Sequence, residues 1–214
     1  MPDAAARLSA IRDAIARAAR LARRSADDIR LIAVSKGRST AEIEALIAAG
    51  QRDFGENRVA EAQEKFGPLR AAHPDLRLHM IGQLQSNKAA EAAALFDEIH
   101  TLDRASLLTA LVKAHWGGPT YVQVNIGEEE QKGGIAIAGL PAFLDGVRAG
   151  GVSVAGLMAI PPAGPEAGPY FALLAKLARR HDVSGLSMGM SGDYATAVML
   201  GATCIRVGTA LFED

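Results

Sequence analysis

Short β-rich runs alternate along this chain with longer amphipathic segments rich in alanine and leucine, and this alternation restricts the possible folds more than any other feature. The runs with the length and composition of strands are 31–35, 52–56, 77–82, 98–102, 120–126, 152–160, 185–189 and 204–211. The segments between them with helical periodicity are 39–49, 57–66, 86–96, 104–114, 139–149, 166–181 and 193–200. Strands that alternate with helices pair as parallel βαβ units, so the sequence predicts an α/β fold with a parallel sheet.

Eight strands with helices between them are enough to close a barrel. We therefore predict a single-domain (β/α)8 TIM barrel over residues 1–214, with an open doubly wound sheet as the alternative. Only three residues follow the run 204–211, so we expect no helix after the eighth strand. The N-terminal segment 3–24 has apolar residues at near-helical spacing and is predicted to pack as a helix on that flank of the barrel.

The composition argues against several classes of protein. The net charge is −1, which gives no reason to expect a nucleic-acid or anionic-membrane partner. No apolar run reaches the roughly 18 residues of a membrane span. The single cysteine, Cys204, cannot form an internal disulfide, which fits a reducing and hence cytoplasmic compartment. The N-terminus is rich in alanine and arginine, as organellar transit peptides are. Asp3 and Asp13 argue against a transit peptide, because such peptides are poor in acidic residues.

Polar and glycine residues follow the predicted strands at the ends where barrel proteins place their functional groups. Those that stand at the C-terminal ends of strands, or just beyond them, include Lys36, Asn57, Gln83, Asn125, Ser191, Gly208 and Thr209. Because all these ends meet at one face of a barrel, we predict the functional site there.

Lys36 ends the first predicted strand and is the candidate for covalent chemistry. Side chains alternate along a strand, so Lys36 shares a face with Ile32 and Val34. If that face is the barrel interior, the amine is desolvated and becomes a better nucleophile. The simpler alternative is a lysine that reaches back to solvent from a strand end.

The last predicted strand adds a cation and a close approach to the backbone. Arg206 shares a face with Cys204 and Gly208, and a buried arginine needs a partner, for which a pyridine nitrogen is suitable. Gly208 lets a ligand approach the main chain. Ser191 and the N–H groups of segment 191–194 form a candidate anion site, although that segment could equally be an ordinary helix N-cap. An amine, an anion site and an arginine together suit an aldehyde that carries a phosphate, such as pyridoxal phosphate.

Other motifs are weak or absent. The chain has no Walker A sequence and no dinucleotide-binding glycine pattern. Its five histidines show no HExxH or similar spacing, so the sequence predicts no metal site. The acidic run 127–134 is most simply a solvated loop, and its place after the fifth strand would also let it act as a mobile lid.

Seven sequence blocks, in order, match one known family. They are AVSK (33–36), FGENR (54–58), HMIGQLQSNK (79–88), VNIGEEEQKGG (124–134), GLMAI (156–160), LSMGMSGDY (186–194) and IRVGTALF (205–212). The chain resembles the pyridoxal phosphate homeostasis proteins, also called proline synthetase co-transcribed homologues, which are related to the N-terminal barrel of alanine racemases.

The resemblance implies a role for each candidate residue. Lys36 would hold the vitamin B6 cofactor pyridoxal phosphate as an internal aldimine, and Arg206 would face the pyridine nitrogen. Asn57 would line the pocket, and the phosphate would be held by Ser191, Gly208 and Thr209. Two departures, Arg58 where many relatives have tyrosine and Glu213 where many have glycine, put rim contacts in doubt rather than cofactor binding.

Two classes of function stay open. The resemblance favours a non-catalytic carrier that keeps or delivers pyridoxal phosphate, and we expect it to be a monomer with apo-enzymes that need this cofactor as its recipients. The alternative is an amino-acid racemase or a related enzyme of the same fold type, which needs a second acid/base group opposite the lysine. Of the tyrosines, Tyr121, Tyr170 and Tyr194, only Tyr194 is expected near the pocket. A phosphosugar enzyme with a Schiff-base lysine is a third, remote alternative.

Overall fold

The computed structural model describes residues 3–164 and 166–212, and it shows eight parallel strands closed into a barrel. The strands follow one another around the barrel in chain order, and the last pairs with the first through Arg30↔Cys204 to Ala33↔Val207. This closure confirms the predicted (β/α)8 barrel and excludes the open sheet.

The strands are short and the helices between them are longer. The strands are β1 Arg30–Val34, β2 Asp53–Glu56, β3 Arg77–Met80, β4 Glu98–Leu102, β5 Thr120–Gln123, β6 Val154–Met158, β7 Gly185–Ser187 and β8 Cys204–Val207. The helices are α1 Ala4–Leu21, α2 Thr40–Ala48, α3 Val59–Ala72, α4 Ala89–Leu95, α5 Ala105–Lys113, α6 Leu140–Ala149, α7 Gly168–Arg180, α8 Tyr194–Met199 and α9 Thr209–Phe212.

The end of the chain differs from the prediction. The run 204–211 was expected to be one strand with no helix after it, but β8 ends at Val207 and α9 makes one helical turn. The backbone N–H of Leu211 donates to the Gly208 carbonyl at 2.8 Å, and the Leu211 side chain is buried. The prediction was wrong because an apolar run of this length fits a strand or a buried helical turn equally well.

Helix α1 nevertheless covers that flank of the barrel. Asp3 caps it by accepting a hydrogen bond from the Ala6 N–H at 2.7 Å. Its apolar face, with Leu8, Ile11 and Ile15, is buried in the same core as the barrel helices. Neither α1 nor any other helix within 3–164 and 166–212 is long and apolar enough to cross a membrane.

The strands of the barrel separate two clusters of buried apolar residues. A large apolar core fills the space between the strands and the surrounding helices. Inside the barrel lies a smaller apolar cluster formed by Ile32, Tyr121, Met158 and Cys204. A β-carbon built on Gly185 would lie only 2.9 Å from the Tyr121 ring, so glycine at this position makes room for the aromatic side chain.

Candidate functional site

Lys36 lies just beyond the end of β1, on the C-terminal face of the barrel. A turn follows the strand, closed by the Arg38 N–H, which donates to the Ser35 carbonyl at 3.0 Å, and Gly37 takes a φ of 69° that favours glycine. The Lys36 side chain is exposed. Side-chain alternation holds only to Val34, where the strand ends, so the structure fits the alternative of a lysine that reaches solvent rather than an amine desolvated in the barrel interior.

A buried polar cluster fixes the main chain on both sides of Lys36. The Lys65 ammonium donates to the Ser35 carbonyl at 2.8 Å and to Glu61 Oε1 at 2.6 Å. Glu61 Oε1 also accepts the Gly37 N–H at 2.6 Å. Beneath them, the fully buried Glu56 accepts from the Ser35 hydroxyl at 2.7 Å and from Lys65 at 3.1 Å. The turn that carries Lys36 is thus held at its start and at its tip.

Burial raises the pKa of Glu56, although hydrogen bonds from Ser35 and Lys65 oppose that shift. Glu61 and Lys65 stand four residues apart in α3, a spacing that places opposite charges side by side on a helix. Sequence reasoning did not single out either residue, and this spacing within a predicted helix was the signal that could have found them.

A cavity of about 400 Å³ opens beside the lysine. It is lined by Lys36, Gly37, Asn57, Arg58 and Glu61. The structure therefore brings the predicted residues Lys36 and Asn57 to one cavity and places Arg58 at its exposed rim. The other departure from the family pattern, Glu213, lies outside the described residues.

The candidate anion site forms where β8 ends, next to the end of β1. The Gly208 N–H donates to the Ser191 hydroxyl oxygen at 3.3 Å, so these two predicted residues meet. A β-carbon built on Gly208 would lie 3.4 Å from Val34 of β1. Thr209 is exposed and begins α9.

The loop before α8 is not an ordinary N-cap. Asp193 stands at the N-cap position, but its side chain makes no capping bond and instead accepts the Met190 N–H at 2.6 Å. The hydroxyl of Ser191 is left facing Gly208 rather than capping the helix. The segment is therefore not a side-chain N-cap, and its role as an anion site stays a prediction.

Arg206 lies almost fully buried inside the barrel, below this end of the strands. Its Nη1 donates to the Ser187 hydroxyl at 2.6 Å and its Nη2 to the Ala159 carbonyl at 3.1 Å. Burial lowers the pKa of the guanidinium to about 10, so it stays charged at neutral pH. These two bonds use two of five N–H donors, and no third bond is seen among residues 3–164 and 166–212, which leaves donors for a ligand.

The loop 127–134 is tied to the barrel rather than extended into solvent. Asn125 and Glu129 exchange hydrogen bonds at 2.8 and 3.2 Å. The Lys132 ammonium donates to the Pro161 carbonyl at 3.0 Å, and the Gln123 amide donates to the Gly133 carbonyl at 3.1 Å. Whether this loop also opens as a lid stays a prediction.

The ends of β1 and β8, and the barrel interior below them, carry groups that complement a phosphorylated aldehyde, although only Lys36 and Asn57 of the predicted residues line the cavity. An exposed primary amine stands at a cavity mouth, a backbone N–H and a hydroxyl meet at the next strand end, and a buried guanidinium retains free donors. Gly208 has no side chain, and a β-carbon added there would face Val34 at the end of β1. On these observations the residues fit pyridoxal phosphate.

Known proteins share this architecture over nearly the whole chain. The family model described as "Alanine racemase, N-terminal domain" matches residues 7–214. The pyridoxal phosphate homeostasis protein of Escherichia coli strain K12 is 36% identical over 226 residues, covering 99% of this chain and 97% of its own. The protein of the same name from Deinococcus radiodurans is 39% identical over 211 residues, covering 96% of this chain and 97% of its own.

Solved structures agree with this assignment. PipY of Synechococcus elongatus PCC7942 with pyridoxal phosphate bound superimposes with a TM-score of 0.79 at 39% identity, covering 92% of this chain and 99% of PipY. Alanine racemase from Corynebacterium glutamicum gives a TM-score of 0.64 at 18% identity, covering 93% of this chain and 60% of the racemase. That second similarity shows the fold alone.

The fold and the strand-end lysine thus define a barrel of the alanine racemase N-terminal type. Within that class, the chain belongs to the family of pyridoxal phosphate homeostasis proteins. The resemblance found in the sequence blocks is confirmed.

Proposed function

We propose that this protein binds pyridoxal phosphate through a Schiff base on Lys36 and takes part in the homeostasis or delivery of this cofactor in the cytoplasm, without robust catalysis of its own. The observation that carries the proposal is the exposed Lys36 amine, held by a fixed turn at the mouth of a cavity that Asn57 shares. The relative PipY, described with pyridoxal phosphate bound, supports the choice of ligand.

Each predicted residue has a distinct task in this proposal. The cofactor supplies an electrophilic aldehyde and a phosphate dianion. Ser191, Gly208 and Thr209 would bind the phosphate at the ends of β7 and β8, where barrels often place such sites. Arg206 would donate to the ring nitrogen and, because it keeps its own proton, would leave that nitrogen unprotonated.

The exposure of the site supports a carrier rather than an enzyme. Lys36, Gly37 and Arg58 at the cavity are all exposed, so a bound cofactor would be accessible to solvent and to a recipient protein. Enzymes that control the reactions of this cofactor usually exclude water from the reacting atoms. We infer that cofactor held here is suited to transfer to apo-enzymes, and we expect the protein to be a monomer.

The racemase alternative depends on a second acid/base group. Tyr121 lies inside the barrel, where its hydroxyl contacts the Cys204 sulfur at 3.3 Å, and Tyr170 packs on the core from α7. Tyr194, at the start of α8, follows the anion-site loop and is partly buried against the core. Only Tyr194 among the three is placed to be considered, and its packing favours a structural role.

The test is to trap the adduct and locate it. Protein loaded with pyridoxal phosphate would be reduced with borohydride, digested, and searched by mass spectrometry for the modified lysine. We expect modification at Lys36, loss of the visible cofactor band in Lys36→Ala, and an unchanged band in the control Lys176→Ala, at an exposed position on α7. Modification at another lysine, with Lys36→Ala still coloured, would contradict the proposal.

A further inference from the structure

Three side-chain atoms from neighbouring strands converge inside the barrel, away from the lysine. His79 on β3 pairs in register with Glu98 on β4, and His100 lies two residues further along β4, so all three point inward. His79 Nδ1 lies 3.2 Å from His100 Nε2, and Glu98 Oε2 lies 3.5 Å from each. Both histidines are fully buried and Glu98 is nearly so.

The other polar atom of each of these side chains is already occupied. His79 Nε2 lies 3.0 Å from Asp53 Oδ1, and His100 Nδ1 lies 2.8 Å from the Ser187 hydroxyl. Glu98 Oε1 accepts from the Arg30 guanidinium. Outer partners of this kind orient metal ligands and fix the tautomer of a ligating histidine. Each residue is therefore held so that its remaining nitrogen or oxygen atom faces the corresponding atoms of the other two.

Glu98 Oε2 is the atom that needs an explanation. It is buried and has no hydrogen-bond partner within 3–164 and 166–212, which costs stability unless something else satisfies it. Ligands bound at 2.0–2.2 Å to a tetrahedral zinc ion lie about 3.3 Å from one another. The separations of 3.2, 3.5 and 3.5 Å match that spacing.

We propose that His79, Glu98 and His100 bind a divalent transition-metal ion, zinc being the candidate, inside the barrel. Two imidazoles and one carboxylate suit zinc and its neighbours rather than calcium or magnesium, which require oxygen ligands. Binding through Nδ1 of His79 and Nε2 of His100 leaves the opposite nitrogens protonated, and these donate to Asp53 and Ser187.

A route for the ion leads from the N-terminal face of the barrel. A cavity of about 300 Å³ opens there, lined by Asp27, Asp28, Arg30, Tyr121, Thr203 and Cys204. Asp27 and Asp28 are exposed, so they would attract a cation to the entrance. Arg30 both lines this cavity and contacts Glu98, so a shift of its side chain would open the way to the three ligands.

A proton is the alternative occupant of this cluster. Although burial disfavours the charged imidazole, the hydrogen bond to Asp53 raises the pKa of His79. Burial lowers the pKa of His100 to about 3, which keeps that ring neutral. A protonated His79 beside a neutral His100 would satisfy the cluster without a metal, so the two possibilities must be separated by direct measurement.

The experiment measures zinc bound per chain. Protein stripped with a chelator would be equilibrated with zinc chloride, dialysed, and analysed for metal, and cobalt substitution would report the coordination from its visible spectrum. We expect one equivalent in the wild type and in Lys36→Ala, since the site does not involve the cofactor lysine. Loss of the metal is expected in Glu98→Gln and in His100→Gln, with folding checked by circular dichroism.

Two further variants keep the result interpretable. Asp53→Asn retains all three ligands and should weaken zinc binding 10–100-fold, which covers the case in which a ligand variant does not fold. A triple variant removes the remaining histidines through His73→Gln, His115→Asn and His181→Gln. It should still bind one equivalent of zinc per chain. No zinc on the folded wild type, or loss of zinc in this last variant, would overturn the proposal in favour of a purely hydrogen-bonded cluster or an adventitious surface site.

Discussion

Lys65 holds the peptide that precedes Lys36, since its ammonium donates to the carbonyl oxygen of Ser35 at 2.8 Å. Its side chain is only 12% exposed and also neutralises the completely buried carboxylate of Glu56. A lysine on α3 thus positions the turn that presents the proposed cofactor lysine. Its role is positioning, because it reaches Lys36 only through the main chain.

Replacing Lys65 with methionine should therefore affect both stability and cofactor binding. Lys65→Met leaves the Glu56 carboxylate buried without its cation, so we expect the free energy of unfolding at pH 8 to fall by about 3 kcal/mol. Pyridoxal phosphate should bind more weakly as the turn loosens. Denaturant unfolding and cofactor titration measure the two effects. Lys176→Met, at an exposed position on α7, is the control and should change stability by less than about 0.5 kcal/mol.

The pH dependence of this deficit gives a second readout. The pKa of Glu56 is already raised by burial, and loss of Lys65 raises it further. Because the pKa of this carboxyl is higher in the folded state than in the unfolded state, folding takes up a proton between these two pKa values. The free energy of unfolding therefore increases as the pH falls through the folded-state pKa. The loss in free energy of unfolding caused by Lys65→Met should therefore become smaller from pH 8 to pH 5, as Glu56 becomes protonated. A deficit that is constant over this range would show that Glu56 is not its cause.

Gly208 offers a test of the phosphate site that does not disturb the fold. Its backbone does not need a positive φ, and an added β-carbon would meet Val34 at 3.4 Å, a contact that small adjustments accommodate. In Gly208→Ala the methyl group would add bulk against Val34 at the end of β1, on the same residue whose N–H donates to Ser191. We expect pyridoxal phosphate to bind at least about tenfold more weakly, a loss of about 1.4 kcal/mol, with pyridoxal unaffected.

The same substitution at Gly146 provides the control. Gly146 lies in α6 with nothing within 4 Å of an added β-carbon, so Gly146→Ala should leave both affinities unchanged. Isothermal titration with the two ligands measures the difference. An equal loss of pyridoxal and pyridoxal phosphate in Gly208→Ala would mean that the phosphate binds elsewhere.

The sequence alone could predict the barrel and the face on which the candidate residues lie, because both depend on local patterns. Alternating strands and helices indicated the fold, and polar residues after strands indicated the functional face. Lys36 lies at that face as predicted, but the sequence left open whether its amine is buried, since periodicity cannot say that β1 ends at Val34. The one-turn helix α9 was missed for a similar reason, because Thr209–Phe212 fits either state.

The interior cluster could not be predicted from spacing. His79 and Glu98 stand 19 residues apart in the chain and meet only through the register between β3 and β4. The sequence did show Glu98 and His100 two residues apart in a strand, which places them on one face. Which neighbouring strand supplies the third group, and at what level of the barrel, depends on the three-dimensional closure.

Arg206 can be tested through the spectrum of the bound cofactor. Arg206→Glu would replace a donor with a group that favours a protonated ring nitrogen and a stronger electron sink. We expect the absorbance of the loaded protein, and its change with pH, to differ from the wild type. Arg206→Lys keeps a positive charge and is the control, with a pH titration close to that of the wild type. A loaded Arg206→Glu variant whose titration is unaltered would argue against contact with the ring nitrogen.

Cofactor transfer and racemisation distinguish the carrier from the enzyme. The open cavity beside Lys36 suits release, while Tyr121 lies inside the barrel and Tyr170 and Tyr194 pack against the core. The loaded protein should therefore activate an apo-enzyme in a mixed incubation, while Lys36→Ala should deliver none. The loaded protein should exchange the α-proton of alanine, or racemise alanine, no faster than a trace contaminant would. Tyr194→Phe should change neither the cofactor transfer nor this lack of alanine chemistry. Robust racemisation that disappears in both Lys36→Ala and Tyr194→Phe would make the protein a two-base enzyme, and a loaded protein that yields its cofactor to no acceptor would exclude the carrier.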